Sequence, residues 1–185
     1  SIPFPPDVAS VAAFSYPHGY EWAHCAFLIP PPSEWWAHTH ALFAPAMQQC
    51  GKLTRKGVAG CVGITVGVVP SRYGNGDIDT AHMPEAVAIL IHHLCRFFSA
   101  PPYSRRINMV ALVQGVDREY SGHKHNNRCM AISASFGGYS RQHNQGSLFL
   151  EIPRGSQTLG LAVDTYQRLT LWNGDEPHSV NWFSG

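Results

Sequence analysis

From Ile107 onward the chain is cut into short runs that suit extended backbone: Ile107–Val113, Arg128–Phe136, Ser147–Ile152, Leu159–Val163, Arg168–Trp172 and His178–Phe183. Turn residues fill the gaps, as Gly137-Gly138, Asn144-Gln145-Gly146, Pro153-Arg154-Gly155 and Asn173-Gly174-Asp175. Strands recurring at about 8–12 residues with turn chemistry between them predict a β-sandwich or barrel. An earlier segment, Val58–Val69, is rich in Val, Ile and Thr and lies between glycines and Pro70, which predicts a buried strand. After a loop over Ser71–Thr80 comes a helical pattern in Pro84–Ser99. Its apolar stripe runs through Val87, Leu90, Ile91, Leu94, Cys95 and Phe98, with Pro84 at the start and Pro101-Pro102 beyond the end. The expected fold class is therefore mainly β with one or two helices, an α+β chain. No internal repeat or low-complexity segment is visible.

Residues 1–57 read differently. Pro3, Pro5, Pro6, Pro17 and Pro30-Pro31-Pro32 punctuate a stretch that also holds Trp22, Trp35 and Trp36. Each proline fixes φ and removes a backbone donor, so this segment is expected to be an irregular arm packed by its aromatics on a 58–185 core that includes helix 84–99. A chain of 185 residues, 44% of them hydrophobic, can bury about 70% of its unfolded surface without covalent staples. Cys25, Cys50, Cys61, Cys95 and Cys129 are odd in number and form no C-x-x-C pair, so free thiols are expected. A soluble intracellular or organellar protein is favoured over a secreted one; Ser1-Ile-Pro-Phe-Pro-Pro has no signal-peptide character. No stretch reaches the ~20 apolar residues of a membrane span. Thirteen Lys and Arg against twelve Asp and Glu give a net charge of +1, which lacks the footprint of a dedicated nucleic-acid binder.

The chemistry-bearing pattern is His123-x-His125, followed far downstream by His178. Residues i and i+2 of a strand face the same side, so two imidazoles joined by a third from a neighbouring strand form a facial triad with open positions, suited to iron-type chemistry. The alternative is a polar loop over His123–Asn127 and a His178 that caps a hairpin. His38-x-His40 and the tandem His92-His93 are read as surface or packing residues, and Trp35 and Trp36 as packing residues. No nucleophile-elbow, phosphate-loop, dinucleotide-binding or zinc-protease motif occurs.

The stretch 105–185 resembles the double-stranded β-helix Fe(II)/2-oxoglutarate dioxygenases, within them the branch of the TET/JBP nucleobase oxygenases. The carriers are a strand at Ile107–Val113, then His123-Lys124-His125-Asn126-Asn127, four strand candidates between 128 and 172 with Gly146-Ser147-Leu148 at the second, and Glu176-Pro177-His178-Ser179-Val180. The resemblance implies a double-stranded β-helix (jelly-roll) core, Fe(II) held by His123, His125 and His178, and 2-oxoglutarate contacted by Asn127 and Arg168. This sequence departs from the family pattern twice: His125 stands where an Asp is expected, and the strand bearing the cosubstrate-binding Arg is not found before Gly185. Arg128, Arg141 and Arg168 are the nearby substitutes.

Three expectations follow. One is a dioxygenase acting on a nucleobase or a protein side chain. Another is a catalytically inactive subunit of a larger protein assembly, with the Trp-rich arm as its interface. The third is a cupin-like metalloenzyme using three histidines without 2-oxoglutarate.

Overall fold

Pro84 and Pro101 bracket a helix as the sequence predicts. In the computed structural model, which describes residues 25–51, 61–67, 83–115, 130–154, 156–174 and 176–180, helix α2 spans Glu85–Ser99 with Pro84 as its N-cap. The chain divides into two compact units. The first combines Ser1–Pro30 with Asp117–Gly185; the second is Pro31–Val116.

The second unit holds α2, a preceding helix α1 (Ser33–Gln48) and an antiparallel pair, β2 (Val62–Gly67) with β3 (Met109–Gln114). Helix α1 corrects the expectation of an irregular arm through residue 57. Pro32 is its N-cap, where a missing N–H costs nothing because the first turn's donors have no helical acceptor. Pro45 lies inside the helix. It deprives the Ala41 carbonyl of its usual donor, yet both residues are exposed, so that carbonyl is on the wet side. The buried face, Trp36, Thr39, Ala46 and Met47, follows helical spacing. Ala46 and Met47 join Val66, Val87, Leu90 and Leu112 in one apolar core. At Gly67 φ is +108°, and a Cβ would strike the Asn108 carbonyl oxygen across the pair; only glycine suits that position.

The first unit is built of strands. β1 (Cys25–Phe27), β4 (Met130–Ser133) and β7 (Thr170–Asn173) form one antiparallel sheet in the order β1-β7-β4. β5 (Leu148–Arg154), β6 (Gln157–Val163) and β8 (His178–Val180) form another in the order β6-β5-β8. One apolar cluster contains Cys25 and Trp172 from the first sheet and Leu148, Leu150, Leu161 and Val163 from the second, with Phe27 and Ala131 packed against it. The two sheets thus share a core, as the inner faces of a sandwich do. Every residue of β7 is buried, which matches its unbroken run Leu169-Thr170-Leu171-Trp172 rather than an alternating pattern. At Gly146, φ is +67° and a Cβ would overlap the Tyr139 ring, which explains glycine at the entry to β5.

The described elements are two helices and several antiparallel strands in small sheets, an α+β chain. No helix among the described residues is long and apolar enough to cross a membrane.

Candidate functional site

His178 is positioned by the step between the two sheets of the first unit. After β7 the chain turns, with the Glu176 N–H donating to the Asn173 carbonyl at 3.1 Å. It then runs beside β5, with Glu151 N–H donating to the Pro177 carbonyl at 2.9 Å and Leu150 opposite His178. β7 and β8 belong to different sheets, so His178 does not cap a hairpin. Residues directly opposed in an antiparallel pair share a face, and Leu150 is fully buried in the shared core. His178 therefore faces the space between the sheets. It is only 8% exposed, and its ring meets Trp172 edge-on, centroids 4.5 Å apart.

The imidazole's state follows from its partners. Nδ1 lies 2.8 Å from the Glu176 carbonyl oxygen. A carbonyl can only accept, so Nδ1 carries the proton and the lone pair of the neutral ring is on Nε2. Burial holds the His178 pKa below the ordinary imidazole value, opposed by that carbonyl contact. A neutral ring anchored through one nitrogen with its lone pair on the other is the form a metal ligand takes.

Polar groups continue along the inner face of the first sheet. Trp172 Nε1 donates to Ser133 Oγ at 2.9 Å. Thr170, two residues from Trp172 and opposite both Ser133 and Phe27, is fully buried. Its Oγ1 has no hydrogen-bond partner among the described residues. At the end of this row the Arg168 guanidinium lies over the Phe27 ring, 5.1 Å from its centroid, a cation–π contact. Arg141 is engaged elsewhere, 3.5 Å from the Asp164 carboxylate and 4.7 Å from the centroid of Tyr166.

Of the residues expected from the sequence, His178 and Arg168 are described and both belong to this face or its rim. His123, His125, Asn127 and Arg128 lie outside the described residues. Among the described residues no group of three or more His, Cys, Asp or Glu could hold a metal ion. Sequence reasoning passed over Ser133, Thr170 and Trp172. The two-residue period through Arg168, Thr170 and Trp172 was the available signal.

The other histidine patterns resolve as packing. His38 and His40 are both exposed on α1, where i and i+2 point to different faces, so they form no chelating pair. His92 is exposed, but His93 is half-buried: its Nε2 lies 2.9 Å from Thr39 Oγ1 and its ring stacks on Trp35 at 5.6 Å. Trp36 is buried, and Trp35 stacks on Phe97 at 4.3 Å. These two tryptophans are packing residues of the helical unit. Cys25, Cys50, Cys61 and Cys95 are free thiols, as expected for these four.

Comparison of the chain with protein-family models, with characterised proteins and with solved structures found no match.

Proposed function

We propose that the strand-rich unit is a double-stranded β-helix of the Fe(II)/2-oxoglutarate dioxygenase kind, holding its metal with His123, His125 and His178 and oxidising a nucleobase or a protein side chain. The observation that carries this reading is the state of His178, an inward-facing neutral imidazole whose Nδ1–H is committed to the Glu176 carbonyl. The strand order adds support. Successive strands β4, β5, β6, β7 and β8 pass from one sheet to the other and back, as a jelly roll requires.

The described donor fits a borderline divalent cation, because neutral imidazole suits Fe, Zn and Cu alike. Three imidazoles without a carboxylate supply no ligand charge, which lowers affinity for the metal. Iron bound there would supply the capacity to activate O2 for substrate oxidation, with 2-oxoglutarate as the co-substrate. The chain's own residues then have definite tasks. The Glu176 carbonyl fixes the His178 tautomer and ring orientation; Trp172 and Leu150 keep water from its flank. Arg168, at the rim of the same face, offers a guanidinium to a carboxylate together with Asn127, at the cost of its contact with Phe27.

Anaerobic Fe(II) titration by calorimetry tests this. Stoichiometric binding by the wild-type chain and its loss in a folded His178→Ala variant is the expected result. Equal behaviour of the two proteins would sink it.

A second reading, a catalytically inactive subunit of a larger assembly, is favoured by the close fit of Trp172 against His178, since a filled interior leaves little room for substrate. The absence of iron binding in both proteins is its expected outcome. A three-histidine enzyme that dispenses with 2-oxoglutarate needs no arginine, which fits an Arg168 stacked on Phe27; it predicts iron binding that 2-oxoglutarate does not tighten.

A further inference from the structure

Helices α1 and α2 meet through a ring-lined polar seam as well as through the apolar core. On α1, Trp35, His38 and Thr39 are spaced i, i+3 and i+4 and so share one face. His93 of α2 touches all three. Its ring stacks on Trp35 at 5.6 Å, its Nε2 lies 2.9 Å from Thr39 Oγ1, and the His38 ring meets it edge-on with centroids 4.9 Å apart. Trp35 also stacks on Phe97, one turn beyond His93 on α2, at 4.3 Å. His93 is thus held in place, whereas His38 is exposed and reachable from solvent.

These contacts fix which nitrogen of His93 is open. The hydroxyl of the buried Thr39 occupies Nε2, which leaves Nδ1 as the ring atom that can take a further group. With Nε2–H donating to Thr39 Oγ1, the lone pair of the neutral ring is on Nδ1. Burial, and after it the neighbouring His38, lower the His93 pKa, so at neutral pH the ring offers a lone pair instead of a charge. A histidine that ligates a metal ordinarily donates its other ring N–H to a fixed oxygen in this way.

The separation of the rings fits as well. A metal about 2.0–2.1 Å from each ligating nitrogen stands about 3.2 Å from each ring centroid, so two imidazoles at a tetrahedral angle have centroids about 5.2 Å apart. The observed 4.9 Å needs only a small adjustment, which the exposed His38 side chain can make. Neutral nitrogen donors suit zinc, copper and nickel, whereas magnesium and calcium take oxygen. Two protein ligands are fewer than the four of a closed structural site, so solvent completes the shell and the affinity is modest.

We propose that His38 and His93 form an interhelical site for a divalent transition metal of the zinc kind, which on binding ties α1 to α2. Both ligands belong to the Pro31–Val116 unit, so the site is separate from the one proposed around His178. The test is hydrogen exchange of the full chain read by mass spectrometry as zinc chloride is added, alongside His38→Gln, His93→Gln and Thr39→Val. Zinc at about a hundred times its dissociation constant should slow exchange in α1 and α2 about a hundredfold, because opening the helix pair then requires the metal to leave. His38→Gln removes a ligand without touching the apolar core, and an unchanged circular dichroism melt without zinc establishes that it folds. It should abolish the effect, as should His93→Gln. Thr39→Val keeps both ligands and should weaken zinc about tenfold. Exchange in α1 and α2 that zinc does not slow, or slows equally in both glutamine variants, overturns the proposal. So does an equal effect of magnesium, which would mark non-specific screening, and so does protection gained in the strand unit alone, which would assign the zinc to His178 and its partners.

Discussion

The two units treat a buried polar side chain differently. In the helical unit Thr39, on the buried face of α1 beside the apolar core of Ala46, Met47, Val66, Val87, Leu90 and Leu112, is paired with His93 at 2.9 Å. In the strand unit an equally buried core, centred on Leu150, is shared with His178, Thr170, Ser133 and the Trp172 indole N–H. Burying a polar group without a partner costs about 1–3 kcal/mol, so the second arrangement persists only where those groups are satisfied or serve a ligand. The contrast separates a buried hydroxyl whose partner comes from the next helix from one, Thr170, that has none among the described residues.

The largest effect that can break this comparison comes from the two leucine cores. Leu150→Ala and Leu90→Ala each remove a fully buried side chain, and each should cost about 2–5 kcal/mol. Hydrogen exchange read by mass spectrometry should show protection lost first in β5 and β6 for the former and in α1 and α2 for the latter. Uniform loss across the chain in both variants would mean one cooperative block instead of two units.

Thr170→Val tests the polarity of the strand interior directly. If its hydroxyl has no partner, the isosteric methyl should raise stability by about 1 kcal/mol in urea denaturation. A fall instead would reveal a hydrogen bond supplied by residues outside those described, or by a ligand.

Acid should act on both units with the same sign. Burial lowers the pKa of His178 and of His93 from the ordinary 6.5, in His93 with help from the neighbouring His38. The unfolded chain then takes up protons that the folded one refuses, so stability is full above pH 6.5 and is lost as pH falls toward the lowered native values. His178→Gln should flatten this acid limb of the stability profile; a slope unchanged in that variant would remove His178 from the account.

The smallest effect is kinetic. Burial pushes the Cys25 thiol up to about 11, and thiolate is the reactive form. Alkylation at pH 8 should leave Cys25 unmodified long after the half-buried Cys50 and Cys95 have reacted, by peptide mapping. Early modification of Cys25 would place it outside the packed core.

Much of this was legible where local signals agreed. The stripe from Val87 to Phe98, closed by prolines at both ends, defined α2 within a residue. The runs around Ile64, Val110, Leu150, Leu161 and Leu171 all became strands, although their ends shifted by a few residues. Helix α1 was hidden because Pro30-Pro31-Pro32 suggested an irregular arm, whereas a helix accepts proline at its N-cap and, as Pro45 shows, on its wet face. The spacing of Trp36, Thr39, Ala46 and Met47 held the opposite signal. β1 had no local signature: three residues become a strand because β7 offers them an edge. For the site, the sequence pointed to His178 but not to its inward face, which depends on the register with Leu150. His93 was similarly unreadable, since its partner Thr39 comes from another helix.

That short first strand has a consequence for how the protein is made. Cys25 pairs with Trp172, so the strand unit is discontinuous and the whole of residues 31–116 is an insertion within it. During translation at about 5–20 residues per second, the inserted unit leaves the ribosome complete while β1, made before it, still waits for its neighbour β7. For that interval, on the order of ten seconds, Cys25-Ala26-Phe27 is an orphan apolar segment available to chaperones, and the insertion, a contiguous stretch of chain, can fold before the unit that surrounds it.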